Sequence, residues 1–246
     1  ALFNLPLEQA ASGIVIKTLG KLFPFTSRQL RVWFSRGDLN DCLIEPLCSG
    51  LNIKYGWKLT GFAAHDNYLY KLIFNKENIT LLPQDKVIAA LEAHNYTKIF
   101  GGRDFDYNEI TNVFFRTSMQ ITLPGGYNFL GLSGSTAQWL FTAPGLTAVT
   151  ISNSHNLNFS DDYLAMEVWK EIGALRGHAA AFLPSYRVLR HKRATIRQDQ
   201  DNNARRPNDC RTAWKNMFIA GDWTMKNWPC SIEAALQSAY RVIKNL

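Results

Sequence analysis

The chain has 246 residues, of which 46% are hydrophobic and 19% charged, and its formal net charge is +7. This length suits one large domain or two small ones, and the composition excludes a chain that is disordered over most of its length. No apolar run reaches the roughly 18 residues that suit a membrane-spanning helix. The cysteine spacing matches neither a metal finger nor a disulfide framework, which predicts free thiols in a reducing compartment at Cys42, Cys48, Cys210 and Cys230.

The basic residues are densest between residues 187 and 211. Two interpretations of this cluster remain open: a solvated strand and loop, or a surface that attracts anionic lipid headgroups. The sequence has no helix-turn-helix, zinc-finger or RNA-binding signature, so we expect no nucleic-acid partner. The five histidines are dispersed without the spacing of metal ligands, so we expect no metal site.

The first part of the chain has helical patterns. An amphipathic helix is predicted over residues 5–23, although Gly13 weakens the pattern. A short strand is predicted over residues 31–34. A second helix carries leucines at regular spacing over residues 39–51, and Pro46 within it predicts a kink or an interruption.

Residues 56–91 are typical of β structure. They predict a small antiparallel meander with turns at Asp66–Asn67 and Asn75–Lys76. The apolar run over residues 87–91 then indicates a short strand buried on both faces, as in a parallel sheet.

A second meander is predicted in the middle of the chain, with strands over residues 110–115, 129–132, 138–142 and 148–152. Ser160 is a candidate cap for a helix that runs to about residue 175. A basic strand over residues 186–196 and a polar loop over residues 198–212 follow.

The last segment has the clearest pattern. An apolar strand over residues 217–220 ends at Gly221–Asp222, and a connection rich in Trp and Pro leads to a helix from about residue 231 to 245. We expect this helix to bury one apolar face, formed by Ile232, Leu236, Ala239 and Ile243.

This strand–turn–helix arrangement suits ligand binding. Ligands of open α/β sheets bind beyond the carboxyl ends of the strands, where Asp222 stands. Gly221 lets a ligand approach the backbone, and the following helix presents free N–H groups and partial positive charge. The Gly-Asp pair alone favours the other interpretation, a turn that only caps the next helix.

The full stretch resembles the final motif of the FAD-dependent amine oxidase and phytoene desaturase superfamily, and in particular its squalene-associated, hydroxysqualene dehydroxylase-like branch. The residues that carry the resemblance are Phe218 to Thr224, Trp228 to Ala235 and Gln237 to Ala239. Weaker similarities, among them residues 36–39, 112–115 and 192–195, occur in the family's order over nearly the whole chain.

The resemblance implies roles for several residues. Asp222 would bind the ribityl or phosphate region of FAD, and the stretch around Ala63 and Ala64 would lie near the adenine. The implied cofactor-binding residues are Gly221, Asp222, Trp223, Pro229, Ser231, Ile232 and Glu233. Arg36, Gly37 and Trp139 are substrate-side candidates. The position of Trp139 in the second meander favours the core over the substrate wall, and Glu233 also suits a first helical turn for its charge alone. We name no catalytic side chain, because the flavin carries the redox chemistry.

Two departures from the family pattern stand out. Ala234 and Ala239 replace glycines, which would add methyl groups close to the cofactor. The sequence also has no G-x-G-x-x-G turn, the fingerprint that holds the diphosphate in an amino-terminal βαβ unit. We therefore expect the chain to begin after this unit, which an upstream segment or a second chain would supply.

The expected fold is α/β combined with α+β: a partial, Rossmann-like FAD-binding domain interleaved with a mixed-sheet substrate domain. Residues 1–45 would form the helical part of the substrate domain, residues 46–100 the FAD-domain meander and strand, residues 101–200 the substrate domain, and residues 201–246 the carboxy-terminal FAD-binding segment.

The resemblance implies an FAD-dependent oxidoreductase that acts on a hydrophobic isoprenoid of squalene or hydroxysqualene type by hydride transfer. Two alternatives remain open, a flavin amine oxidase and a truncated, non-enzymatic relative. We expect a cytoplasmic protein, and the apolar substrate together with the basic surface suggests peripheral contact with a membrane.

Overall fold

The structure is a computed structural model that describes residues 3–24, 38–118, 120–177 and 182–246. The helices are α1 (Ser12–Leu22), α2 (Glu45–Cys48), α3 (Ala93–Phe100), α4 (Asp161–Leu175), α5 (Gln200–Arg205) and α6 (Ile232–Ile243). The strands are β1 (Leu59–His65), β2 (Tyr68–Phe74), β3 (Asn78–Thr80), β4 (Val87–Ala89), β5 (Tyr107–Arg116), β6 (Phe129–Gly131), β7 (Trp139–Ala143), β8 (Leu146–Ser152), β9 (Tyr186–Ile196) and β10 (Met217–Ile219).

The chain falls into two compact units. Unit one comprises Ala1–Ala11 and Phe105–Arg205, and unit two comprises Ser12–Asp104 and Arg206–Leu246. Unit two thus joins two separate stretches of sequence. It includes α1, whereas the sequence predicts that residues 1–45 belong to the substrate domain. The assignment of one unit to the cofactor and the other to the substrate stays a prediction.

Unit one is built on an antiparallel sheet of five strands in the order β6-β7-β8-β5-β9. The second meander and the basic strand predicted from the sequence are confirmed. Helix α4 packs its Leu164, Val168 and Ile172 into the core of this unit with Val113 and Phe115 of β5. Its start is also as predicted, because the Ser160 hydroxyl accepts a hydrogen bond from the Tyr163 N–H at 3.2 Å.

One prediction in unit one is wrong. The polar stretch over residues 198–212 predicts a loop, but α5 forms within it. The reason is a local cap: the Asp199 carboxylate accepts a hydrogen bond from the Asn202 N–H at 2.9 Å, and the Asn203 N–H donates to the Asp199 carbonyl.

Unit two begins with α1, which starts at Ser12 rather than near residue 5, because residues Leu7–Gln9 form a separate 3₁₀ turn. The predicted interruption at Pro46 is confirmed, since a π-helical turn over Asn40–Ile44 gives way to the short α2, with Pro46 in its first turn. The predicted strand over residues 31–34 lies outside the described residues.

The antiparallel meander of unit two is confirmed as β1, β2 and β3. Asp66 and Asn67 form the turn between β1 and β2 with φ of 49° and 63°, a conformation that Asn and Asp tolerate best among residues with a side chain. Helix α3 follows β4 and was not predicted from the sequence.

Strands β4 and β10 form a parallel pair, with Val87, Ile88 and Ala89 in register with Met217, Phe218 and Ile219. The expectation of a strand buried on both faces is wrong for β4, because Ile88 is 48% exposed. The combination of helices with parallel and antiparallel sheets confirms the predicted α/β and α+β class. The prediction of a mixed sheet in the substrate domain is wrong, because all the strand pairs of the sheet in unit one are antiparallel.

Two further features concern the chain as a whole. Within the described residues, none of the helices combines the length and the apolarity needed to cross a bilayer. All four cysteines are free thiols, with Cys42 exposed and Cys210 buried.

Candidate functional site

The candidate site lies in unit two, where β10 ends. Gly221 follows the strand with φ of 135°, a backbone conformation that residues with a Cβ rarely adopt. A Cβ at this position would also lie 2.9 Å from the Trp223 ring. The Gly221 N–H donates to the Ser238 hydroxyl of α6 at 2.8 Å. Glycine is therefore required here by the turn itself, whether or not a ligand approaches it.

Trp223 connects the ends of the two parallel strands. Its indole N–H donates to the Leu91 carbonyl, just beyond β4, at 2.9 Å. Its ring centroid lies 5.2 Å from that of Tyr96 in α3. The residue is buried, so in this structure Trp223 is part of the core, and its predicted contact with the flavin stays a prediction.

Asp222 is half-buried at the carboxyl end of β10, as the sequence predicted. One carboxylate oxygen accepts a hydrogen bond from the Trp223 N–H at 2.8 Å. The carboxylate also forms a hydrogen bond with the side chain of Cys230, which lies at the end of the connection between β10 and α6. Burial, together with the negative charge of Asp222, raises the pKa of the Cys230 thiol to about 12. Cys230 is therefore protonated at neutral pH, and its S–H group serves as a donor to Asp222.

Arg206 is buried against the connection between β10 and α6 and donates hydrogen bonds to it. No pattern in the sequence assigns Arg206 a role. Its guanidinium donates to the carbonyls of Met225 at 3.0 Å and Trp228 at 2.6 Å, and to Sγ of Cys230 at 3.1 Å. The side chain is 2% exposed, and its Nε is buried without a hydrogen-bond partner in the described chain. An arginine followed by proline in a polar stretch gives no sign of this burial, which depends on contacts 19 to 24 residues away.

Helix α1 covers the connection from another side. Gly13 approaches Asn227 so closely that a Cβ on Gly13 would lie 2.4 Å from the Asn227 Oδ1. The ammonium groups of Lys17 and Lys21 lie 4.2 and 4.1 Å from the centroid of the Trp228 ring. Gly13, which weakened the helix prediction, thus permits the packing of α1 on the connection.

The amino terminus of α6 completes the site. The Ser231 hydroxyl accepts a hydrogen bond from the Ala234 N–H at 3.2 Å and donates to the Pro229 carbonyl at 3.2 Å. Glu233 lies in the first turn and pairs with Lys21 of α1 at 3.3 Å. Hydrogen bonds from Gln237 and Lys21 lower the pKa of Glu233. The positive end of the helix dipole is therefore fixed beside Asp222 and Cys230.

Ala234, whose methyl group the resemblance places close to the cofactor, is 0% exposed in the chain alone, and its proximity to the flavin stays a prediction. One expectation for α6 is wrong. The expected buried face is instead exposed at Ile232, Leu236 and Ile243, because the helix packs its Ala234, Ser238 and Val242 side inwards.

A cavity of about 450 Å³ lies beside the carboxyl end of β4. It is lined by Trp57, Lys58, Leu59, Thr60, Leu91, Asn95, Lys98 and Ile99. Ala63 and Ala64, which the resemblance placed near the adenine, lie further along β1 and are not among these lining residues.

The remaining candidates lie elsewhere. Trp139 is in β7 of unit one, where its ring stacks on Phe129 with centroids 5.1 Å apart. Its ring also fits against Gly131, where a Cβ would lie 3.0 Å away. Arg36 and Gly37 lie outside the described residues, so their substrate-side role stays a prediction.

The sequence matches the model of the flavin containing amine oxidoreductase family over residues 2–243. The chain belongs to this family. The resemblance seen in the terminal motif is thereby confirmed. Because members of this family contain flavin, the predicted cofactor, FAD, is also supported at the level of the family.

Three curated relatives share one name, hydroxysqualene dehydroxylase. The relative from Rhodopseudomonas palustris is 28% identical over 98% of this chain and 59% of its own length. The relatives from Sinorhizobium fredii and Zymomonas mobilis are 28% and 32% identical over 84% and 68% of this chain, and 50% and 40% of their own lengths. The chain thus spans about half the length of the curated relatives it matches.

Solved structures support the same fold. An oxidoreductase from Methanosarcina mazei has a TM-score of 0.55 at 14% identity, covering 77% of this chain and 49% of the other. Cyclohexylamine oxidase from Brevibacterium oxydans has a TM-score of 0.53 at 10% identity, covering 77% and 48%. At these identities the likeness concerns the fold alone.

Proposed function

We propose that this chain forms the flavin-ring side of an FAD-dependent oxidoreductase that acts on a hydrophobic isoprenoid of squalene or hydroxysqualene type. One observation carries the proposal. Asp222, the Cys230 thiol and the capped amino terminus of α6 are held together at the carboxyl end of β10 by Arg206 and α1. This edge is where α/β folds bind their ligands.

The residues of this edge fit a flavin. Asp222 is an acceptor for ligand hydroxyl groups, and the N–H groups and dipole of α6 suit an electron-rich carbonyl or a developing negative charge. FAD, when bound, supplies the redox chemistry by exchanging a hydride with a substrate carbon. The protein's part is to orient the cofactor and to fix the positive helix end beside it.

The cavity beside Leu91 suits the adenosine end of FAD. Its volume of about 450 Å³ has room for a nucleoside, Trp57 offers an aromatic wall, and Lys58 and Lys98 offer positive charge for nearby phosphate. This proposal moves the adenine contact from Ala63 and Ala64 to the start of β1, around Leu59.

The diphosphate is the part of FAD that this sequence does not fit. It has no G-x-G-x-x-G turn, the element whose N–H groups hold a dinucleotide diphosphate. The proposed enzyme therefore needs a strand, a glycine-rich turn and a helix from an upstream segment or a second chain. The same feature is what favours the alternative of a non-enzymatic relative.

The substrate class comes from the curated relatives. All three are named hydroxysqualene dehydroxylase, whereas the similarity to cyclohexylamine oxidase is one of fold only. We extend the isoprenoid substrate of these names to this chain. Contact with a membrane, from which such an apolar substrate would be taken, belongs to the same proposal.

The test is to produce this chain together with the part of the Rhodopseudomonas palustris relative that lies outside the match. Bound flavin is measured by absorbance, and turnover by chromatography with hydroxysqualene, squalene and a panel of amines. We expect stoichiometric flavin and conversion of the isoprenoid only. Amine-dependent peroxide would instead indicate an amine oxidase, and a folded complex without flavin would favour the non-enzymatic relative.

A further inference from the structure

A second cavity, of about 410 Å³, lies within unit one. It is formed where β5 ends, beside the last turns of α4 and the segment that leads into β9. It shares no lining residue with the cavity beside Leu91 or with the candidate site around Asp222. Small-molecule sites in proteins have volumes of roughly 300–1,000 Å³, so this cavity has the size of a ligand site.

Hydrogen bonds and ring packing hold the walls of this cavity. The Trp169 indole N–H donates to the Phe182 carbonyl at 2.7 Å, which ties α4 to the segment before β9. The Trp169 ring also packs on Phe115 of the unit-one core, with centroids 4.9 Å apart. The Arg116 N–H donates to the Ser185 carbonyl at 2.8 Å. The cavity therefore lies between elements that the core and the sheet fix in place.

Positive charge lines the cavity without a compensating carboxylate. Arg116 and Arg176 are among the lining residues, and none of the described lining residues is acidic. Within the described part of the chain neither of them forms an ion pair, whereas three other arginines of unit one pair with carboxylates at 3.1, 3.1 and 2.6 Å: Arg190, Arg197 and Arg205. The concave walls concentrate the field of the two guanidinium groups, which attracts an anion.

The helix dipole accounts for only one of these two arginines. Arg176 directly follows α4, whose carboxyl end carries partial negative charge and stabilises a cation there. Arg116 is the last residue of β5, and a strand has no comparable dipole. An anion bound by both guanidinium groups accounts for the pair.

The same cavity has an apolar wall. The Trp169 ring is half-buried, and Phe182 is 82% exposed. Removing an aromatic ring of this size from water is favourable. Ser118 and Ser185 add hydroxyl groups to the lining. The matching ligand is therefore amphiphilic, with an oxyanion for the arginines and serines and an apolar chain for the rings.

We propose that this cavity binds a phosphate monoester of an apolar chain. A carboxylate has two oxygens, which one guanidinium satisfies in a bidentate pair, so a second arginine would be left over. A phosphate monoester has three terminal oxygens and a charge of about −1.5 to −2 at pH 7, which matches two guanidinium groups. Free amphiphiles and the phosphatidic acid of a bilayer both carry this group. The site does not rest on the proposed function, since squalene and hydroxysqualene have no phosphate.

The test uses the whole chain, with octyl phosphate as the probe and inorganic phosphate and octanoate for comparison. Titration calorimetry measures the dissociation constants. Phenylglyoxal, which modifies accessible guanidinium groups, is applied with and without the probe, and peptide mass spectrometry reads each arginine separately. The variants are Arg116→Gln, Arg176→Gln and Phe182→Ser. The matched control is Arg187→Gln, an exposed arginine of β9 that does not line the cavity.

We expect saturating octyl phosphate to slow the modification of Arg116 and Arg176 but not that of Arg187. Either cavity variant should weaken binding about tenfold or more, because charge-assisted hydrogen bonds are lost, whereas the control should leave it unchanged. Phe182→Ser should weaken the binding of octyl phosphate and leave that of inorganic phosphate as it was. Circular dichroism checks that the variants fold, and the protection measurement needs no variant.

The inference is overturned if octyl phosphate protects neither cavity arginine. It is also overturned if Arg187→Gln weakens binding as much as the cavity variants, since the probe would then follow the general positive charge of the chain. Equal affinities for octyl phosphate and inorganic phosphate would contradict the apolar wall, and octanoate bound as tightly as octyl phosphate would contradict the choice of phosphate.

Sedimentation with phosphatidylcholine vesicles that contain phosphatidic acid distinguishes the two sources of the ligand. Vesicle binding that Arg176→Gln abolishes would support the site and identify a bilayer headgroup. Binding of octyl phosphate without binding of vesicles would support the site and identify a free amphiphile.

Discussion

The guanidinium of Arg206 donates to Sγ of Cys230 at 3.1 Å, and the Cys230 thiol in turn bonds with Asp222. The buried guanidinium of Arg206 is thus linked to Asp222, the candidate FAD ligand, through the neutral thiol of Cys230. Arg206 also fixes two carbonyls of the connection between β10 and α6. The position of Asp222 therefore depends on a residue that lies 16 positions earlier in the chain.

The first prediction concerns Arg206→Met. The substitution leaves the carbonyls of Met225 and Trp228 without their buried donor, at about 1–3 kcal/mol for each unsatisfied group. We expect the free energy of unfolding in urea to fall by about 2–5 kcal/mol, and Arg206→Lys to recover only part of it, because an ammonium lacks the planar fork. Arg211→Met, at an exposed position, is the control. Unchanged stability of Arg206→Met would contradict the role given to this residue.

The second prediction is the alkaline behaviour of Cys230. Its pKa of about 12 exceeds the value of about 8.5 for an ordinary thiol, so the folded chain holds this proton more tightly than the unfolded chain. The contribution of Cys230 to stability is therefore constant below about pH 8.5 and is lost as the pH rises towards 12. The difference in free energy of unfolding between wild type and Cys230→Ala should shrink over this window.

Alkylation provides an independent measurement of the same thiol. With iodoacetamide at pH 8, the native chain should be labelled at the exposed Cys42 and spared at Cys230. The labelling rate of Cys230 should continue to rise about tenfold per pH unit well beyond pH 9, where an ordinary thiol levels off. Rapid labelling of Cys230 at pH 8, read by peptide mass spectrometry, would show that its pKa is not raised.

The third prediction compares two glycines. Gly221→Ala places a Cβ at φ of 135° and 2.9 Å from the Trp223 ring, so we expect a loss of about 1–3 kcal/mol. Gly20 lies inside α1, and a Cβ added there would meet no atom within 4 Å. Gly20→Ala should therefore stabilise the chain by up to about 1 kcal/mol through helix propensity. Opposite shifts of the melting temperature are the expected result, and equal shifts would contradict it.

The sequence predicted the elements whose signals are local. The helices that start after Ser160 and Ser231 were found because a capping side chain and an apolar repeat occur together over a few residues. The turn at Asp66–Asn67 has similarly local chemistry. Asp222 was found because it follows an apolar strand, a pattern that the family resemblance made specific.

Other features depend on distant contacts and were missed. The burial of Arg206 comes from carbonyls that fold back over it, and the role of Trp223 depends on Leu91, 132 residues away. The exposure of Leu236 could not be predicted either, because an apolar repeat indicates that a helix face will be covered but not by which part of the protein.

The last prediction tests Asp222 as a cofactor ligand. In the complex of this chain with its partner, Asp222→Ala should weaken FAD binding by about 1.5–3 kcal/mol, or roughly 10- to 150-fold in the dissociation constant, since one charge-assisted hydrogen bond is lost. Titration calorimetry measures this effect, and Asp66→Asn, which removes a carboxylate at an exposed turn and tolerates its φ of 49°, is the control. The same variant has a second effect that needs no flavin. Because Asp222 raises the pKa of Cys230, its removal should lower that pKa and speed the alkylation of Cys230 in the chain alone. Faster alkylation with unchanged FAD affinity would confirm the contact with Cys230 and contradict the assignment of Asp222 to the cofactor.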